Sequence, residues 1–269
     1  MSLYLSIEQM AMAASLVVVA MAISTWLRLG LTQNLFVGAI RACVQLTVMG
    51  YVLVFVFEST NFALIGALLL FMIGLAAQTA SARQRSGLYD RRRVRIYAFL
   101  SILLSTSITL TFITQMVVKI DPWYSPQYWV PLGGMIIANS MNAAALGAER
   151  FFSEMVARRF EVETLLAMGA KPRQACASLY RRAVGAAMMP TVSSMMVVGL
   201  VSIPGMMSGQ ILSGVSPLLA IRYQLVVQFM VAGSAAITSS TLVMLYGRSF
   251  FDDSSESLHL HRLLGNSKN

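Results

Sequence analysis

An all-α polytopic membrane protein with about seven transmembrane helices is the fold class this sequence predicts, on three observations. The 269 residues are 57% hydrophobic and only 12% charged, with a mean hydropathy of +0.69. A soluble domain carries about a quarter charged residues, so this composition points to lipid as the solvent. Several charge-free runs are long enough to cross a hydrocarbon core about 30 Å thick, which takes about 20 helical residues. They are continuous rather than alternating, which excludes a β-barrel. Finally, the basic residues fall in alternate loops, as the positive-inside bias requires.

The expected spans are about 9–27, 37–57, 61–80, 96–118, 128–147, 183–203 and 224–246. The first resembles a signal peptide at Ala20-Met21-Ala22, but no Lys or Arg precedes it, so it is read as a retained span. Arg41 lies a few residues inside the second span, with Gln45 one turn further. Snorkelling to the inner interface, a polar contact between helix ends and an anion contact near an inner gate all remain open for Arg41. Arg83, Arg85, Arg91, Arg92, Arg93 and Arg95 separate spans three and four in a basic hinge. Placing that loop and the loop after span five in the cytoplasm puts the N-terminus outside and the C-terminus inside. Every basic residue except Lys119 and Arg222 then falls on the inner side. The net charge of +9 therefore needs no nucleic acid; it expresses this bias and the attraction of anionic headgroups.

The outer loop KIDPWYSPQYW from Lys119 carries Trp123, Tyr124, Tyr128 and Trp129, which read as an interfacial aromatic belt, with a binding platform for an external partner as the alternative. Span five holds Asn139, Ser140 and Asn142, with Ala143 and Gly147 as a small-xxx-small pair for close helix packing. Span six holds Met189, Pro190, Thr191, Ser193 and Ser194, where a kink is expected. The two Asn residues either bond between helices or line a substrate path, together with Met189, Thr191 and Ser194. Beyond span six, IPGMMSGQILSGVSP has no charge, and no charge occurs between Arg182 and Arg222. That segment, with Met206, Met207 and Gln210, reads as a gate or lid at the outer surface.

Methionine is abundant, at 19 residues, and recurs in pairs. Packing is the bland account; soft thioethers would suit Cu(I), whereas hard Fe(III) or Al(III) would want carboxylates that the spans lack. Cys43 lies within span two and Cys176 on the cytoplasmic side, so a disulfide is not expected, and two cysteines are too few for a structural zinc site. His259 and His261 form an H-x-H pair in a polar tail, about 248–269, which reads as accidental. No HExxH, intramembrane Asp pair or Ser–His nucleophile is present, so an embedded enzyme is disfavoured. A standalone channel or secondary transporter remains as the alternative to a subunit of a larger transporter.

One sizeable soluble piece is expected, the segment of about 149–182 in an otherwise single transmembrane domain. Phe152, Val156 and Phe160, with Met155, suggest one apolar stripe of a helix running from Glu149 to Met168. Glu154 and Arg158 make an i,i+4 pair on another face. Gly169 suits the left-handed position that ends a helix, and Pro172 the first turn of the next, with Lys171 kept out of the helical region. At the tip of this elbow Leu165, Leu166 and Met168 are rimmed by Glu161, Glu163, Lys171 and Arg173, a pattern that suits docking to a protein partner.

This elbow resembles the coupling helix of ATP-binding-cassette transporter permeases. More specifically, GGMIIANSMNAAALG (133–147), ETLLAMGAKPRQA (163–175), the run from Met188 to Gln224 with SIPGMMSG, and IRACVQLTVMGYVL (40–53) resemble the FetB-type permeases. That family is described as iron-export permeases, with plant relatives linked to aluminium tolerance, and the expected location of this chain is a bacterial inner membrane. The resemblance implies a homodimer of permeases, a separate ATPase subunit and a docking role for Glu163, Leu165, Leu166, Gly169 and Pro172. The chain has no Walker A pattern, so ATP and magnesium would belong to the partner and no cofactor to this chain. Classical importers carry an Ile-x-Leu-Pro run about a dozen residues past the coupling Gly; here Leu179 to Ala183 stand there, so importer direction is not implied.

Overall fold

In the computed structural model, residues 6–59, 61–82, 91–119 and 121–251 are described. Arg83 and Arg85 of the expected basic hinge, and His259 and His261 of the tail, lie outside the described residues. The described chain is helical, with a single β-bridge between Val198 and Ser202. Its contacts divide it into an N-terminal unit ending at Thr60 and a larger unit starting at Asn61.

The N-terminal unit is a helical hairpin, α1 (Ile7–Trp26) packed on α2 (Thr32–Glu58). α1 starts at a capping box, in which the Gln9 amide donates to Ser6 Oγ at 3.3 Å and the Ser6 amide to Gln9 Oε1 at 2.9 Å. Arg28 and Gly30, with φ of 52° and 69°, reverse the chain. Ser24 Oγ holds the turn by accepting from the Leu31 amide at 3.2 Å. The large apolar side chains of both helices are mostly exposed, as expected where lipid is the solvent.

The larger unit is built from α3 (Phe62–Ala82), α4 (Arg91–Phe112), α5 (Pro126–Ala157), α6 (Arg159–Ala167), α7 (Pro172–Ala175), α8 (Ala177–Val197), α9 (Gly205–Leu212) and α10 (Pro217–Arg248). α10 is its axis and packs against α4, α5, α8 and α9. The buried positions Val227, Met230, Ser234, Thr238, Ser239, Leu242 and Tyr246 recur at three- and four-residue spacing along it. Small and hydroxyl side chains let the backbones approach: Ser105 Oγ of α4 donates to the Ser234 carbonyl at 2.9 Å. A Cβ on Gly147 of α5 would lie 3.2 Å from Val243 Cγ2 and 3.5 Å from Ala187 Cβ, so Gly147 is a helix-contact glycine, as its pairing with Ala143 predicts.

α4 closes in a π turn, Ile113–Val117, with Val118 N donating to the Ile113 carbonyl at 2.9 Å. In the following loop Trp123 and Trp129 pack on Phe62, with ring centroids 5.0 and 5.8 Å away. Trp129 Nε1 donates to the Trp123 carbonyl. Tyr124 joins them and Tyr128 does not, so the expected belt is in part a packed cluster.

Among the described residues, five helical segments are long and apolar enough to cross a membrane: α1, α2, α3, α4 with its π turn, and α10. α5 and α8 stand where the fifth and sixth spans are expected, with different ends. α5 starts at Pro126 and reaches Ala157. α8 stops at Val197 rather than near 203, because Val198 is extended and Gly199 takes φ 86°. α10 begins at Pro217, well before 224, because Pro at the first helical position is already set for the helix.

Candidate functional site

The segment after α5 forms a helical elbow. The expected unbroken helix from Glu149 to Met168 is instead two helices, interrupted at Arg158 with φ −115° and ψ 23°. The Arg158 side chain spans the break, reaching Glu154 at 3.2 Å and Glu161 at 3.3 Å. Glu154 also receives Arg150 at 2.7 Å and Arg182 of α8 at 3.8 Å, so one nearly buried carboxylate ties both arms of the elbow. The expected Glu154–Arg158 pair is thus one edge of a larger cluster.

α6 closes where Gly169 takes φ 86°, with the Gly169 amide donating to the Leu166 carbonyl at 2.9 Å and the Ala170 amide to the Leu165 carbonyl at 3.0 Å. Lys171 is extended, with φ −65° and ψ 151°, and Pro172 opens α7. The Lys171 amide donates to Gln174 Oε1 at 3.0 Å. The chain enters α8 directly after Cys176.

The elbow has a buried side, formed by Val162, Ala175, Cys176 and Leu179, and an exposed side. Leu165, Leu166 and Glu163 are half-exposed, whereas Glu161, Gly169, Lys171 and Arg173 are exposed. The most exposed apolar groups are Met168, at 78%, and Phe160, at 68%, with the Arg159 guanidinium 4.4 Å from the Phe160 ring centroid. The expected stripe of Phe152, Val156 and Phe160 does not form. Within α5 the buried row is Phe151 and Met155, one position away from Phe152 and Val156, and Val156 and Phe160 turn outward.

Behind the elbow lies an aromatic knot. Phe151 of α5 stacks on Tyr180 of α8 and contacts Tyr246 and Phe250, which end the α10 side. Burial raises the Cys176 thiol from its ordinary 9.0 to about 12 and the Tyr180 phenol from 10.0 to about 12.

A second feature lies between α5, α8 and α10. A cavity of about 270 Å³ brings together Asn139, Asn142, Thr191 and Ser194 with Gln224 and Gln228 of α10. No charged side chain lines it. Asn139 Nδ2 donates to the Met135 carbonyl at 2.9 Å. Gln224 is 8% exposed and its Oε1 has no hydrogen-bond partner. Met135 and Val227 are shared with a second cavity of about 410 Å³, which is covered by Met206 and Gln210 of α9. Met189 is 60% exposed on α8 and lines neither cavity, and Met207 lines neither. Arg41 and Gln45 are exposed on α2 in the N-terminal unit. Among the described residues no three His, Cys, Asp or Glu side chains gather into a metal-binding group.

The profile of the uncharacterised protein family UPF0014 matches residues 7–251. The chain is 37% identical over 240 residues to the UPF0014 membrane protein slr1647 of Synechocystis, covering 89% of this chain and 91% of that protein. It is 37% identical over 241 residues to the protein ALUMINUM SENSITIVE 3 of Arabidopsis thaliana, covering 89% and 86%. It is 34% identical over 245 residues to the "Probable iron export permease protein FetB" of Escherichia coli, covering 91% and 92%. No solved structure matches the chain.

Proposed function

The chain belongs to the UPF0014 family of membrane proteins, and on that premise we propose that it is the transmembrane permease subunit of an ATP-binding-cassette exporter in a bacterial inner membrane. The cargo is iron, another metal or a metal chelate, as the name of the Escherichia coli relative suggests. α5 and α8 cross the bilayer together with the five more apolar helices, with the N-terminus outside and the C-terminus inside. Two copies work with two separate ATPase subunits, which carry the ATP and magnesium. Asn142 and Ser194 are exposed at the rim of the polar cavity, and a second copy would shield them from lipid.

The observation that carries this reading is the elbow. Phe160 and Met168 are exposed beside half-exposed Leu165 and Leu166 on a helix ended by Gly169. Exposed apolar groups within a charged rim fit a groove on a partner protein. The Glu154 cluster and the Phe151–Tyr180 stack join that surface to α5, α8 and α10, so a push on α6 reaches the walls of the cavity. Replacing Leu165 and Leu166 with Asp is expected to abolish copurification of the ATPase and its stimulated turnover. Undiminished copurification would remove the docking role.

A further inference from the structure

The chemistry of the cavity walls bears on the form in which a metal would pass. Six polar side chains reach it, and all are amides or hydroxyls. A dehydrated hard cation wants carboxylate ligands, and none is present; the thioether of Met135 alone does not make a soft site. The walls instead present acceptors. Gln224 Oε1 is more than nine-tenths buried at the cavity and has no partner, a costly arrangement unless a donor arrives. Asn139 gives one Nδ2 N–H to the Met135 carbonyl, and no part of that bond engages its Oδ1. Gln210 Oε1 repeats the pattern in the adjoining chamber, where it too is shielded without a partner.

A cation that keeps its water shell meets both conditions. Its aqua ligands are strong donors, and their O–H groups can satisfy amide oxygens that are too few and too weak to replace them. Keeping the shell also avoids most of the desolvation cost of a multiply charged ion. The volume fits: six waters occupy roughly 180 Å³ at about 30 Å³ each, within the cavity's 270 Å³. We propose that the α5–α8–α10 cavity binds a hexahydrated metal cation as cargo, through outer-sphere hydrogen bonds to Gln224 Oε1 and Asn139 Oδ1. This rests on the permease reading above and adds the state of the cargo.

The test uses the full chain in phosphatidylcholine nanodiscs, titrated with hexaamminecobalt(III), whose shell of N–H donors does not exchange, and separately with Mn(II). Both probes are expected to bind and to compete with each other. Gln224→Leu and Asn139→Leu should each weaken both by about tenfold, the loss of one buried hydrogen bond to a charged partner. Gln224→Glu keeps the acceptor and should bind both at least as tightly, which separates loss of the site from loss of the fold. Mn(II) binding without hexaamminecobalt(III), binding of neither, or unchanged affinity in both Leu variants overturns the proposal. ATPase copurification is measured on the same variants. If it persists while hexaamminecobalt(III) fails to bind, the hydrated-cargo proposal falls and the docking role stands. If Leu165→Asp and Leu166→Asp leave copurification intact while the probe binds, the reverse holds.

Discussion

Tyr180 stacks on Phe151, ring centroids 5.2 Å apart and planes 14° from parallel, where α8 leaves the elbow against the C-terminal end of α5. The same phenol ring fills the space beside Gly247, so that any Cβ on Gly247 would collide with it. One aromatic ring therefore sets the separation of α5, α8 and α10 at the level of the elbow. None of the three can shift there without moving the others, because packed interiors have few soft directions.

Gly247→Ala tests this. Overpacking of this kind costs about 1–3 kcal/mol. The variant should lower the thermal midpoint, and Tyr180→Phe in the same background should recover part of it, since Tyr180 Oη is the nearest atom to the new methyl group. A thermal midpoint equal to the parent's in the single variant would show that the ring can move aside at no cost.

Glu154 makes a second joint at this level. Its carboxylate faces Arg150, Arg158 and Arg182, whose side chains are 52%, 33% and 49% exposed. Glu154→Gln keeps the shape and removes the charge, leaving three guanidinium groups converging on a neutral amide. Discounted for solvent screening, the loss is about 1–2 kcal/mol. High salt should narrow the gap between variant and parent, because it screens the Arg–Arg repulsion. Thermal melts at low and high ionic strength read both effects, and an equal loss at both would assign it to packing instead.

How much of this was legible in the sequence depends on the range of the forces. Gly169 and Pro172 could be placed because their roles are set by local backbone sterics, and the turn has the expected φ of 86° and the expected proline start. Phe160 is misplaced because four-residue spacing alone does not tell which row of a helix faces the core: Phe151 and Met155 keep the same spacing as Phe152, Val156 and Phe160, and they are the buried pair. Gln224 and Gln228 carry no charge, so they do not stand out as intramembrane polar groups the way Arg41 does. An i,i+4 pair of glutamines in an apolar helix was the available signal. That Asn139, Thr191, Ser194 and Gln224 meet at one cavity is a matter of helix packing over long separations, which no local pattern encodes.

The buried Cys176 thiol and the half-buried Tyr180 phenol predict an alkaline weakness. Cys176 titrates near 9.0 when unfolded and near 12 when folded, and Tyr180 near 10.0 and 12. Between those values the unfolded chain has released a proton that the folded chain still holds. Stability is therefore full below pH 9 and falls as pH rises toward 12, by about 1.4 kcal/mol per pH unit for each group titrating. The thermal midpoint should be level between pH 7 and 8.5 and decline above 9. Cys176→Ala should delay the decline to about pH 10, where Tyr180 begins to contribute. A midpoint that declines identically with and without the thiol would assign the alkaline loss elsewhere.

The turn itself offers the sharpest separation of folding from coupling. Gly169 stands at φ 86°, yet a Cβ there would meet nothing within 4 Å, so a side chain is opposed by backbone strain and not by its neighbours. A left-handed residue costs about 1–2 kcal/mol in a non-glycine, least in Asn. That strain can be relieved by re-aiming α6 while the helices of the membrane region keep their packing, because the buried contacts of Val162 and Cys176 lie on the other side of the elbow. Gly169→Val should therefore fold with a near-parental thermal midpoint but lose ATPase copurification and stimulated turnover. Gly169→Asn should keep most of both. Equal copurification by Gly, Asn and Val at this position would show that the angle between α6 and α7 does not matter to the partner, and the elbow would then be a simple connection between α5 and α8.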